Sequence, residues 1–371
     1  MSKLKVLYLT NIPSPYRVSF FEELGENCDL TVLFERETVD YRNKEWLDFT
    51  AQHFTAKFLK GIKRGNRIIA YDIFKYLKKD KYDVIIVGGY STLTGMMAIE
   101  FLKLKKIPFY LNADGGLIKK DPIFIKKIKC RLISAANGWL STGINTTDYL
   151  VNYGANKQFI YTYPFTSIQV KDVLDTPLNF EEKKRIRNEL GIIEDKVVLS
   201  VGQFIQRKGF DILLKSAESV QNDIGIYIIG GEPTEEFIKL REKLKLDNIH
   251  FIGFTNKKEL LEFYKAADIF VLPTREDIWG LVINEAMANG LPVITTDKCV
   301  AGLEMIKSGE NGFIVPIDDS ETIAEKINFL FNSEKIIEKM SVESIKTAKK
   351  YTIEQMAQKH IEILNSKDNL M

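Results

Sequence analysis

Val271–Asp297, VLPTREDIWGLVINEAMANGLPVITTD, is the stretch on which the reading of the fold turns. It reads as a buried strand (Asp268–Leu272), an acidic loop, a short helix and a second buried strand (Val293–Thr296). The loop carries Glu276, Asp277, Trp279 and Gly280. The helix starts near Gly280, carries Glu285, and is closed by Asn289-Gly290 and Pro292. Asp277 therefore sits in the loop before the helix, and Glu285 on the helix itself. Two carboxylates held at one strand-to-helix crevice accept hydrogen bonds from a polyhydroxylated ligand. Two solvated acids on a surface helix are the plain alternative, and the rest of the chain has to decide between them.

Upstream, the same strand–loop–helix pattern recurs. Lys196–Val201 is a strand, followed by the loop Gly202–Gly209 and an amphipathic helix through Ile212, Leu213, Leu214, Ala217 and Val220. Arg207 and Lys208 stand beside that helix's N-terminus. Cations, a positive dipole end and free backbone N–H groups make an anion site, best suited to phosphate. Ordinary surface basic residues are the competing reading. Ile226–Ile229 closes at Gly230-Gly231, and Ile249–Ile252 at Gly253-Phe254. Downstream come the strand Phe313–Val315, helices from about Glu321 and Glu338, and a last helix over roughly Ile353–Leu364.

The first half repeats the architecture. Lys5–Thr10 is a strand leading into Asn11-Ile-Pro-Ser-Pro15, then a helix through Val18, Phe20, Phe21 and Leu24. Leu30–Phe34 is a second strand. Residues 36–66, with Trp46, read as irregular, and Asn66–Leu77 as a helix. Asp83–Val87, Pro108–Asn112, Leu140–Thr142 and Phe159–Tyr163 are further strands. Asp114 follows one of them, before Gly115-Gly116. Buried strands alternating with helices imply parallel sheets covered on both faces, with ligands at the strands' carboxyl ends. The polar segment Lys171–Lys184 reads as the link between two domains, 1–166 and 167–352, with a C-terminal helix, 353–371, returning to the first.

Net charge is only +2, but residues 1–165 hold 25 Lys/Arg against 16 Asp/Glu, and the remainder 27 against 34. Ile118–Ala136 is the most basic stretch. Lys119, Lys120, Lys126, Lys127, Lys129 and Arg131 alternate with apolar residues. A helix there either docks on anionic lipid headgroups or is a solvated helix packed on its own sheet; the two readings stand level. Nucleic acid is disfavoured by the modest charge and the lack of a nucleic-acid motif. Three scattered cysteines argue for a reducing compartment without a disulfide framework. Three histidines at no metal-ligand spacing argue against zinc. The N-terminus does not read as a signal peptide and no apolar run reaches membrane-span length, so a cytoplasmic location, peripheral on the inner membrane face if the basic helix docks, is expected.

In their order, VGQFIQRKGFDILLKS (201–216), YIIGGEP (227–233), IHFIGF (249–254) and YKAADIFVLPTREDIWGLVINEAMANGLPVITTD (264–297) resemble the nucleotide-sugar-binding domain of GT-B-fold retaining glycosyltransferases of glycosyltransferase family four. NIPSPYR (11–17), LNADGG (111–116) and YPFTS (163–167) resemble bacterial members that extend surface polysaccharides. The resemblance implies two Rossmann-like doubly wound domains facing across a cleft, the first binding acceptor and the second nucleotide sugar. It also implies hexose transfer from a nucleotide-diphosphate sugar, a UDP-sugar by preference, to a hydroxyl of a glycan or lipid-linked acceptor, with no metal or other cofactor. Arg207 and Lys208 would grip the diphosphate and Glu285 the ribose. Gly280 and Leu281 would offer N–H groups to phosphate. Gly202 and Gly231 would line the donor, and Phe254 would flank the base. Asp277 stands where the family usually has Glu and would meet the donor sugar; Glu276 is adjacent. Asp114 is either the residue orienting the attacking hydroxyl or a turn residue chosen for Gly-Gly. A GT-B epimerase or phosphorylase, and a non-catalytic GT-B partner or glycan-binding scaffold, are the rival readings. A nicotinamide dehydrogenase would want a GxGxxG turn after a strand, and none is present.

Overall fold

The computed structural model describes residues 3–36, 49–64 and 67–366. The chain divides into two compact units, Met1–Ser167 with Thr352–Met371, and Ile168–Tyr351.

In the first unit the order is β1 (Lys5–Thr10), α1 (Pro15–Asn27), β2 (Asp29–Phe34), β3 (Phe54–Phe58), β4 (Ile62–Arg64), β5 (Arg67–Ile69), β6 (Val84–Val87), α2 (Leu93–Lys105), β7 (Tyr110–Ala113), α3 (Ile123–Ile133), β8 (Gly138–Ser141), α4 (Ile144–Asn152) and β9 (Ile160–Thr162). A parallel sheet runs β3-β2-β1-β6-β7-β8-β9. Val6–Leu9 and Val84–Val87 are buried throughout, as a strand covered on both faces must be. Pro15 opens α1 where its missing N–H costs nothing. The Thr92 hydroxyl caps α2 by accepting from the Gly95 N–H.

Two expectations fail here. Phe54–Phe58, inside the segment read as irregular, is the edge strand paired with β2. The helix expected over Asn66–Leu77 is replaced by β5, which pairs with β4, and a 3₁₀ turn over Tyr71–Lys75. Tertiary partners override helical periodicity there. The Ala70 N–H donates to Thr94 Oγ1 and the Asp72 carboxylate accepts from the Lys60 N–H. Trp46 and Asn66 lie outside the described residues.

The second unit holds α5 (Phe180–Leu190), β10 (Lys196–Val201), α6 (Phe210–Ala217), β11 (Ile224–Ile229), α7 (Glu235–Lys243), β12 (Ile249–Ile252), α8 (Lys257–Ala266), β13 (Ile269–Leu272), α9 (Leu281–Ala288), β14 (Val293–Thr296), α10 (Val300–Met305), β15 (Gly312–Val315), α11 (Ser320–Phe331) and α12 (Glu334–Ala348). Its parallel sheet runs β12-β11-β10-β13-β14-β15. This is the 3-2-1-4-5-6 order of a doubly wound nucleotide-binding fold, with its topological switch point between β10 and β13. The supposed link Lys171–Lys184 runs into α5 from Phe180. A capping box, Asn179 to the Glu182 N–H and Glu182 back to the Asn179 N–H, starts that helix despite its weak apolar period. α12 also begins four residues before the expected Glu338.

α13 (Ile353–Asn365) belongs to the first unit and lies on α1, where the His360 and Phe20 rings are 4.8 Å apart.

Candidate functional site

The loops at the β10/β13 switch point carry most of the expected residues. Gln206–Lys208 forms a 3₁₀ turn that Gly209 ends and from which α6 starts. Gly209 has φ +69°, and a Cβ there would stand 2.0 Å from the Pro273 carbonyl oxygen, so both conformation and close approach require glycine. The two loops are laced together. The Arg275 N–H and the Thr274 hydroxyl donate to the Arg207 carbonyl at 2.8 and 2.9 Å.

Lys208 Nζ lies 2.7 Å from Asp277 Oδ2, and the side chains are only 11% and 12% exposed. Arg207 Nη1 donates to the Glu276 carbonyl at 2.6 Å and lies 3.7 Å from Asp277 Oδ1, with its side chain 44% exposed. Gly202 lies against the Lys208 stem, and a Cβ on it would meet Cε at 3.3 Å. Gly230, beside Gly231, abuts the Gly202 carbonyl. Gly202, Arg207, Lys208, Asp277 and the Gly230-Gly231 turn are thus brought together.

Asp277 is built in rather than hanging in a loop. Its N–H donates to the Lys298 carbonyl, and its carbonyl accepts from the Val300 N–H. Neighbouring Cys299 has its thiol pushed up to about 12 by burial and then by the Asp277 charge. Gly280, φ +104°, caps α9, and its Cβ position is 2.8 Å from Cys299 Sγ. Leu281 opens α9. One turn on, Glu285 accepts from the Tyr264 hydroxyl at 3.0 Å; burial and then this charge hold the phenol well above its ordinary value. Phe254 is largely exposed beyond β12, and the structure does not bring it into the Lys208–Asp277 cluster.

Sequence reasoning missed Arg275 here and gave Trp279 no role. Arg275 donates to both Asp211 oxygens at 2.8 and 2.7 Å, to the Gln206 carbonyl, and to Asp318 at 2.6 Å. Its charged form is strongly favoured, first by the Asp211 hydrogen bonds. It clamps the loop that carries Arg207 and Lys208. Trp279 is buried and donates from Nε1 to Asn284, pinning the acidic loop to α9. Arg275's place inside the quoted stretch was the available signal; its partner 64 residues away was not.

In the first unit Asp114 follows β7. Its carboxylate pairs with Arg17 and accepts from Asn112 Nδ2 at 2.7 Å and the Tyr163 hydroxyl at 3.0 Å. Arg17 is buried, with its guanidinium 5.5 and 5.4 Å from the Tyr16 and Phe165 ring centroids. Three donors from three chain segments exceed what turn chemistry asks of an Asp before Gly-Gly. Arg17, a lone cation in the apolar pattern of α1, is the residue overlooked in the sequence.

The basic stretch Lys119–Arg131 is divided. Lys129 pairs with Asp121 at 2.7 Å, and Arg131 forks onto Glu100 at 2.6 and 2.8 Å. Among the described residues no three His, Cys, Asp or Glu side chains are grouped to hold a metal ion, and no helix is long and apolar enough to cross a membrane.

Two Rossmann-like parallel-sheet units in one chain, the second with cations and helix N-termini at its switch point, define a GT-B architecture. The family model for glycosyl transferases group 1 matches residues 182–351. An uncharacterized glycosyltransferase of Haemophilus influenzae is 32% identical over 293 residues, 77% of this chain and 76% of that protein. The capsular polysaccharide biosynthesis glycosyltransferase CapM of Staphylococcus aureus is 26% identical over 337 residues, 82% and 85% of the two chains. The crystal structure of Anabaena Alr3699/HepE in complex with UDP shares the fold at TM-score 0.80, 15% identity, covering 98% of this chain and 100% of that one. The chain belongs to the glycosyltransferases, with the group 1 match lying in its second unit.

Proposed function

We propose that this enzyme is a retaining hexosyltransferase. It moves a sugar from a UDP-linked donor to a hydroxyl of a lipid-linked glycan during surface-polysaccharide synthesis, next to an anionic membrane face. The observation that carries the reading is the Lys208–Asp277 pair with Arg207 beside it at the β10/β13 switch point. UDP in the related Anabaena structure and the polysaccharide role of CapM support the choice of donor and pathway class.

Arg207 and Lys208 hold the diphosphate and neutralise the charge that grows on it as the bond to the sugar breaks. Asp277 fixes Lys208 in position and, with Glu276 adjacent, borders the donor sugar. The start of α9, Gly280 and Leu281, offers backbone N–H groups to phosphate. Glu285, set by Tyr264, accepts from the ribose hydroxyls. Gly202 and Gly231 keep the crevice open, and Phe254 flanks the base. Asp114 orients the acceptor hydroxyl. The bond from the anomeric carbon to the diphosphate oxygen breaks, and the acceptor oxygen bonds to the same face of that carbon. Its proton passes to the departing phosphate, so no separate protein nucleophile is required. The residues present serve an anionic donor without calling on a metal.

A thermal-shift panel of UDP-, GDP- and TDP-sugars, followed by product analysis, tests this. A UDP-sugar that raises the melting temperature and yields a product of unchanged anomeric configuration is expected. Donor binding with no transfer to any lipid-linked acceptor would replace it with the scaffold reading.

A further inference from the structure

We propose that Ile118–Lys127 is a bilayer-inserting tip, and that the acceptor is accordingly a membrane-embedded lipid bearing only a short glycan. This rests on the transferase reading above. The segment reads IKKDPIFIKK and covers the approach to α3 and its first turns. Ile118, Ile123, Phe124 and Ile125 are all exposed, Ile123 and Phe124 by 77% and 71%. Lys120, Lys126 and Lys127 are exposed among them.

The rest of the basic stretch does other work. Lys129 pairs with Asp121 and lies 4.9 Å from the Tyr153 ring centroid, and Arg131 is forked on Glu100. The exposed face is therefore not a cationic stripe along a helix. It is an apolar knot ringed by lysines, and Asp121, the acid within it, is already neutralised by Lys129. Lysines draw such a tip to anionic headgroups, and the isoleucines and phenylalanine enter the acyl boundary.

The position of the tip constrains the substrate. Ile118 follows Asp114 by four residues, which span at most about 14 Å when fully extended. With Ile118 at the headgroup boundary, the Asp114 carboxylate can lie only a short way above the lipid surface. The hydroxyl it orients then belongs to one of the first few sugars on a lipid, not to the far end of a long or soluble glycan.

Cosedimentation of the whole protein with vesicles tests the tip directly. Phosphatidylcholine vesicles containing about 30% phosphatidylglycerol are compared with pure phosphatidylcholine. Wild type should pellet with the anionic vesicles. Ile123→Ser/Phe124→Ser and Lys120→Glu/Lys126→Glu/Lys127→Glu should each bind at least about tenfold more weakly, with UDP affinity unchanged. Roughly 0.5 M salt should mimic the lysine changes. Variants that pellet like wild type would overturn the tip, as would light scattering in which Phe124→Ser merely splits a dimer, making a second copy the occupant. Failure to bind any nucleotide sugar while still pelleting would instead strike the transferase reading. For the substrate class, the lipid-linked acceptor in vesicles should lose transfer in both variants, while donor hydrolysis by water stays at the wild-type rate. Unchanged transfer would contradict the class assigned.

Discussion

Lys208 and Asp277 bury opposite charges against each other at 2.7 Å, so each is the other's solvation. Removing one leaves the other uncompensated. Breaking a buried pair costs about 3–5 kcal/mol, whereas replacing both members by apolar side chains is near neutral. Lys208→Met should therefore lower unfolding free energy by roughly 3 kcal/mol in urea melts, and Lys208→Met/Asp277→Leu should recover most of it. Turnover should not follow stability. Both variants should lose at least ~100-fold in kcat, because the diphosphate loses its buried cation. A stable double variant with wild-type turnover would detach this pair from catalysis. Glu285 offers a milder change. Glu285→Gln keeps an acceptor for the Tyr264 hydroxyl but lacks the charge. Its melting temperature should stay within a few degrees of wild type while donor Kd rises about tenfold, as titration calorimetry would read.

At the level of elements, two glycines with nearly the same backbone angle separate conformation from space. Gly209 and Gly191 have φ +69° and +71°, but a Cβ on Gly209 meets the Pro273 carbonyl while one on Gly191 meets nothing within 4 Å. Gly191→Ala should cost about 1 kcal/mol. Gly209→Ala should cost at least twice that, because it forces the Lys208 turn away from the β13 loop; denaturation midpoints would show the difference. α13 carries a different kind of constraint. His360 is fully buried, Nδ1 hydrogen-bonds the Met356 carbonyl at 2.8 Å, and the ring packs 4.5 Å from Tyr163. Burial lowers its pKa to about 4, and the nearby Arg17 charge adds to this. The folded state thus binds this proton less readily than the unfolded state, whose histidine titrates near 6.5. Above pH 7 both states are neutral and nothing is lost. Stability should fall as pH drops from about 6.5 to about 4, by roughly 3 kcal/mol in total from this group. His360→Phe should remove that part of the pH dependence in unfolding measurements, and an unchanged slope would place its origin elsewhere.

The elements also show why sequence reading succeeded where it did. Apolar runs ending in glycine or polar turns fix strands through short-range chemistry, so Lys196–Val201, Asp268–Leu272 and Val293–Thr296 were legible together with the loops that follow them. Asn66–Leu77 was not, because β5 and its turn are set by β4, Lys60 and Thr94. Arg17 and Arg275 were invisible as site residues because their carboxylate partners are 97 and 64 residues away. The exposure of Ile123 and Phe124 could not be read from a stretch whose apolar side fitted equally well against its own sheet.

Over the whole molecule, each unit sets a charged side chain just beyond the carboxyl ends of its strands. In the second this is the largely buried cation Lys208, and in the first the braced carboxylate Asp114. The lysine-ringed tip lies in the basic half of the chain. Central to the account is that the β10/β13 switch point grips a diphosphate. Calorimetric titration of UDP and of uridine into wild type and into Lys208→Met/Asp277→Leu tests it most directly. Wild type should prefer UDP over uridine by at least about tenfold, with the preference weakening as salt rises, and the folded double variant should lose most of it. An undiminished preference in that variant would contradict the claim.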